Sequence, residues 1–322
     1  MKNIREHWFP YLLTLVIIVI IVIKLVSRKS GPDDSSGPSA ISIVPDINDL
    51  AGSPDEDLIR YGRDLVTSTS KYFGPKGSIA AITNGMDCGN CHMEAGTKLY
   101  TNNFLGVVST YPKFRERSGR VESIEFRVNE CMQRSLDGKA IDSNSREMNA
   151  LVAYIKWTGK NVNEYPNTDV IKTNELKFLE RAADPAIGKN IYDVKCSSCH
   201  GMNGEGVSGS GATAYKYPPL WGNNSYAVSA GLYRLTKLAS FVKNNMPLGA
   251  AYANPQLKDE EAWDVAAYIN SQPHPNKMFA YDWPVLKTKP VDYPFGPYAD
   301  NFSEEMHKYG PYGDIASSAK IK

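Results

Sequence analysis

Cys88, Cys91 and His92 stand together as CGNCH, and Cys196, Cys199 and His200 repeat the pattern as CSSCH. In a CxxCH run the two thiols can add to the two vinyl groups of one haem, while the adjacent histidine takes an axial position on the iron. Zinc binding would need a further ligand pair at suitable spacing, and a thioredoxin-like redox pair would need a βαβ context. Neither context is present, so two covalently bound haem c groups are expected.

Each iron has a sixth position to fill. For the second motif the candidate is Met246 in VKNNMPLGA, a soft thioether whose ligation raises the potential and suits electron transfer. The alternatives are Met246 as core filling and Lys243 as ligand. For the first motif, the corresponding segment YPKFRERSGRVESIEFRVNECMQRSLDGK offers Cys131 and, beside it, Met132. Four of the five cysteines are consumed by the two motifs, which leaves Cys131 without an intramolecular partner. It could be a haem ligand, a buried free thiol or half of an intermolecular disulfide, or Met132 could ligate with Cys131 incidental. A thiolate ligand would push electron density onto the iron and lower its potential. Arg115, Arg117, Arg120, Arg127 and Arg134 surround this cysteine, interspersed with Glu116, Glu122, Glu125 and Glu130. They make either a solvated mixed-charge face or a set of guanidiniums converging on an anion, for which arginine's fork is suited.

These groups must be held by helices. DLIRYGRDLVTSTS precedes the first motif and SREMNALVAYIKWTG closes its region; IGKNIYDVK and KDEEAWDVAAYINSQP do the same for the second. Both closing segments place AYI at the same point of an apolar stripe of period 3.6. Asp259, Glu260 and Glu261 suit the first turn of the last of these helices. With no convincing β alternation, the expected fold is mostly α: two c-type cytochrome domains in tandem, at 55–168 and 169–275, as 322 residues allow. A tail dense in Pro and Tyr, 276–322, would wrap the surface, with regular structure resuming only near SEEMHKYG.

Ahead of the domains, Trp8 to Ile23 carries no charge and extends to Val26 if Lys24 snorkels, so 1–28 reads as an N-terminal transmembrane helix. A cleaved signal peptide would need a small-x-small site, which is missing. Residues 29–54, rich in Ser, Gly, Pro and Asp, read as a flexible linker. Haem attachment of this kind occurs outside the cytoplasm. The expected topology is therefore single-pass in the cytoplasmic membrane, N-in, with periplasmic haem domains. The balance of 36 basic against 35 acidic residues gives no footprint for a nucleic-acid partner.

The arginine-rich segment ending in Cys131, with YPPLWG, NNMPLG and PVDYPFGPYADNF, resembles the dihaem c-type thiosulfate dehydrogenases, some of which act as tetrathionate reductases. The resemblance runs from about Asp57 to Asp314. It implies that His92 and Cys131 ligate an active-site haem and that His200 and Met246 ligate an electron-exit haem. It also implies that Arg117 and Arg127 hold the substrate anion and that Ser135 contributes a hydroxyl. The implied reaction joins two thiosulfates into tetrathionate, or the reverse, and passes two electrons to a small or membrane-associated cytochrome c, with Cys131 forming a transient adduct. Asn245 stands where some relatives carry Lys, which disfavours a ligand exchange there. The alternatives are a non-enzymatic, membrane-tethered dihaem electron-transfer cytochrome, which requires Met132 as ligand and arginines facing solvent, and an enzyme for another small sulfur oxyanion or sulfide.

Overall fold

The computed structural model describes residues 42–165, 168–209 and 214–320. The expected anchor, 1–28, lies outside the described residues, and among those described no helix is long and apolar enough to cross a membrane.

Two helix pairs organise the molecule. Helix α1 (Glu56–Thr67) crosses α3 (Arg146–Thr158), and α4 (Pro185–Lys195) crosses α6 (Asp259–Ser271). Both crossings are made possible by a glycine. A Cβ on Gly62 would stand 2.0 Å from the Ala150 carbonyl oxygen, and one on Gly188 would stand 1.9 Å from that of Asp264. The next contacts are Tyr154 and Tyr268, the tyrosines of the two AYI runs. Only a residue without a side chain lets the backbones approach this closely. The repeat visible in the sequence is thus a repeated helix crossing.

Within each pair, in chain order, lies a further helix: α2 (Ile124–Arg134), which carries Cys131, and α5 (Leu235–Asn245), which ends at Met246. Side-chain caps start several helices: Ser123 Oγ accepts from the Phe126 amide, Ser145 Oγ from that of Met148, and Asp184, followed by Pro185, from that of Ala186. Asp259, Glu260 and Glu261 occupy the first turn of α6, where acidic groups favour the positive end of the helix.

Four features differ from expectation. Two short antiparallel hairpins occur, β1 (Lys113–Arg115) with β2 (Arg120–Glu122) and β3 (Val207–Ser208) with β4 (Tyr215–Tyr217). Strands of two or three residues are too short to show alternation. The described end of the expected linker is folded, because Ile43 and Leu50 are apolar enough to bury against the first domain. Val170, placed in the second domain by the sequence, packs with Ile43, Leu105 and Val162 of the first. In the tail, α7 (Glu304–Tyr309) falls within SEEMHKYG as expected, but a further helix, α8 (Tyr312–Lys320), follows it, and Tyr312 and Ile315 are buried in the second core instead of lying on the surface.

Candidate active site and its partner cavity

The first cavity, about 300 Å³, is lined by Cys88, Cys91 and His92 on one side and by Arg127, Cys131, Met132 and Ser135 of α2 and its cap on the other. The second, about 240 Å³, is lined by Cys196, Cys199 and His200 together with Met246. Met86, Asn90 and Cys91 line both, so the cavities share a wall.

Both histidines are oriented the same way. His92 Nδ1 lies 2.6 Å from the Asn102 carbonyl oxygen, and His200 Nδ1 lies 2.9 Å from that of Pro218. A carbonyl only accepts, so Nδ1 carries the proton and Nε2 is left as the ligating atom. Burial lowers the pKa of His200 against the pull of the Pro218 carbonyl, which favours the neutral form. All five cysteines are free thiols. Among the described residues, no three His, Cys, Asp or Glu side chains are grouped so as to enclose a bare metal ion. The residues fit haem c: a thiol pair, a histidine with a free Nε2 and an apolar wall at each cavity.

The cysteines separate by environment. Burial pushes Cys88 and Cys91 up to about 12 and Cys196 up to about 11. Burial also raises Cys131, but the Arg127 guanidinium and the His92 imidazole outweigh it and bring the thiol down to about 7. Of these buried thiols, Cys131 is the one the fold prepares as a thiolate. Arg127 is in turn held charged by Cys131, Tyr111 and Glu130 against its own burial.

The arginines divide as well. Arg127 lines the cavity and its Nη1 reaches Glu130 Oε2 at 3.3 Å. Arg117 is not among the lining residues; it is buried behind them, its Nη1 donating to the Ser229 carbonyl at 3.2 Å. Burial, with Arg134 and Arg127 nearby, lowers Arg117 to about 10. Arg134 is buried and committed, donating to Glu130 at 2.7 Å and to both carboxylate oxygens of Asp282 at 2.6 and 2.7 Å. Arg120 is exposed over the Phe126 ring. Of these guanidiniums, Arg127 lines the first cavity, while Arg134 is bound to carboxylates and Arg120 faces outward. Lys243, the alternative ligand at the second cavity, is held by the Leu257 carbonyl and Asp259. Sequence reasoning did not find Asp282, Thr101 and Asn102. Thr101 accepts a hydrogen bond at 3.0 Å from Asn245, the residue before Met246, so the loop that orients His92 also meets the end of α5. No local signal marks such partners.

Residues 79–163 match the SoxA/TsdA cytochrome c domain family and residues 185–273 match the cytochrome c family. A thiosulfate dehydrogenase of Stutzerimonas stutzeri is 34% identical over 245 residues, 76% of this chain and 76% of its own. That of Psychrobacter arcticus is 34% identical over 267 residues, 81% of this chain and 76% of its own. Among solved structures, the thiosulfate dehydrogenase TsdBA of Marichromatium purpuratum superimposes with a TM-score of 0.63 at 27% identity. That match covers 72% of this chain and 49% of the solved one, so this chain spans about half of that longer polypeptide. With two cytochrome c domains, an attachment site for haem c in each and this similarity over most of its length, the chain belongs to the thiosulfate dehydrogenase family.

Proposed function

We propose that this chain joins two thiosulfates through their sulfane sulfurs into tetrathionate, or runs the reverse reaction, and delivers two electrons to a small or membrane-associated cytochrome c. The observation that carries the reading is that Cys131, Arg127 and Ser135 line the same cavity as the first CxxCH motif, where Arg127 and His92 draw the Cys131 thiol towards the thiolate against its burial. An electron relay needs no such thiolate. It also needs arginines facing solvent, whereas Arg117 and Arg134 are buried.

Haem c bound at each cavity, with His92 and Cys131 or His200 and Met246 as the residues placed to ligate it, supplies a one-electron acceptor, so two match the two electrons released. The chain's own residues do the rest. Arg127 offsets the repulsion that two thiosulfate dianions meet when brought together. Ser135, one turn beyond Cys131, offers a hydroxyl to a substrate oxygen. The Cys131 thiolate bonds the sulfane sulfur of one thiosulfate as two electrons leave; the sulfane sulfur of the second then displaces Cys131, forming tetrathionate and restoring the thiolate. Haems held in the two cavities would share the wall of Met86, Asn90 and Cys91, and the Met246 side would be the one that passes electrons on.

The uncharged run from Trp8 and the haem attachment motifs support an anchor with its N-terminus in the cytoplasm and the domains in the periplasm. Fractionation and, separately, protease treatment of spheroplasts check this: the intact chain should sediment with the membrane and protease added from outside should digest its domains, whereas a soluble or protected product would contradict it. The reaction is tested by stoichiometry in the haem-loaded protein. One tetrathionate should appear for every two thiosulfates lost and two ferricyanides reduced, whereas sulfite or sulfate as main product would sink the reading.

A further inference from the structure

Near the first cavity Arg117 is a buried positive charge with no carboxylate in salt-bridge contact. Arg117 is 8% exposed, the one hydrogen bond of its side chain among the described residues goes to the Ser229 carbonyl, and its guanidinium stands 5.6 Å from the centre of the Trp283 ring. The nearby carboxylates are engaged elsewhere: Asp282 gives both oxygens to Arg134, and Glu130 is held by Arg134 and Arg127.

Nine buried side-chain polar atoms among the described residues have no hydrogen-bond partner of good geometry in the protein, and three of them belong to residues that adjoin Arg117: Trp283 Nε1 and the Tyr293 hydroxyl, which approach each other, and the Ser229 hydroxyl. Ser229 is fully buried, Tyr293 is 3% exposed and Trp283 is 8% exposed. The Trp283 and Tyr293 rings are 5.5 Å apart, and the Trp283 amide donates to the Arg117 carbonyl at 2.6 Å, clamping the C-terminal tail onto the arginine-bearing loop. A guanidinium and an indole can only donate, and both hydroxyls can. A water held there would need acceptors for its own protons, which a donor-rich shell supplies poorly. An oxyanion only accepts.

We infer that Arg117, Ser229, Trp283 and Tyr293 form a cradle for one oxyanion next to the first cavity, completed by the tail. Its catalytic weight rests on the thiosulfate reading above. The same chemistry fits two sources, a sulfonate end of thiosulfate or tetrathionate and a propionate carboxylate of the first haem. The guanidinium fork suits either.

The test uses the full-length, haem-loaded protein with Trp283→Phe, Tyr293→Phe and the double variant, which keep an aromatic ring and remove donors. Two quantities are read: the midpoint potential of the first haem without substrate, and KM against kcat for thiosulfate with ferricyanide. A bound sulfonate predicts a KM raised about tenfold at unchanged potential, the loss of roughly one hydrogen bond to a charged group. A bound propionate predicts a shifted first-haem potential at unchanged KM, with the second haem unmoved. Unchanged potential together with unchanged KM overturns the cradle, the donors then facing water alone. Should Trp283→Phe lose haem, Tyr293→Phe, which removes a single oxygen, decides. Should the wild type fail to oxidise thiosulfate, the proposed reaction falls and the potential alone decides the cradle.

Discussion

The two halves of this molecule hold their cavities with the same device and fill them differently. In each, a glycine lets one helix cross another against an AYI tyrosine, and a histidine is turned by a backbone carbonyl. Around Met246 the wall is mostly apolar, with Leu238, Phe241, Val242 and Pro247, and its charged members are Lys195 and Lys216. Around Cys131 it carries Arg127 and Ser135, and behind it stand Glu130 and Arg134. The shared device holds haem, and the chemistry comes from what was placed between the paired helices, namely the β1–β2 hairpin and α2.

That contrast can be broken at several points. Cys131→Ala should lower thiosulfate oxidation by on the order of 10³-fold or more, as loss of a nucleophile does, with the optical spectrum of the second haem intact. Arg127→Gln should cost about 10²-fold in kcat/KM, the scale for one electrostatic stabiliser in a closed site, and should weaken the ionic-strength dependence of the rate. Gly62→Ala and Gly188→Ala should each destabilise by roughly 1–3 kcal/mol or more, because the new Cβ meets a backbone carbonyl that cannot move aside alone. Haem loading should fall mainly in the half carrying the change. Equal loss in both halves would argue against two separate crossings. Met246→Ala should lower the potential of the second haem alone by on the order of 0.1 V, within the ~0.8 V that axial ligands span.

The smallest expected effect concerns pH. Burial raises the pKa of Glu130, but Arg134 and Arg127 outweigh it and hold it below its usual 4.5. A carboxylate with a lowered folded pKa contributes stability above its unfolded value and loses it as pH falls through the folded one. Thermal melts of the wild type should therefore lose this contribution only below about pH 4.5, and Glu130→Gln should flatten that acid slope.

Much of this was legible because it is local. The CxxCH motifs, the closing helices and the isolation of Cys131 follow from spacing and counting. The two glycines sat in the helix-like stretches, yet nothing in one sequence says that Gly62 faces Ala150 while Gly77 turns a loop. What distinguishes Arg134 from Arg127 is Asp282, a residue of the tail, and what surrounds Arg117 is Trp283 and Tyr293, from the same tail. Such contacts join distant parts of the chain, so charge pattern alone showed five similar arginines where the fold makes distinct roles. The tail, expected to wrap, is built into the wall behind the site.

The most direct measurement is low-temperature EPR of the haem-loaded wild type, Cys131→Ala and Met132→Ala, each also assayed with thiosulfate and ferricyanide. The account predicts a low-spin thiolate signal and tetrathionate formation in the wild type and in Met132→Ala, and the loss of both in Cys131→Ala alone. A thiolate signal that survives Cys131→Ala, or a wild type that makes no tetrathionate while Met132→Ala changes the spectrum, would contradict it and leave a dihaem relay.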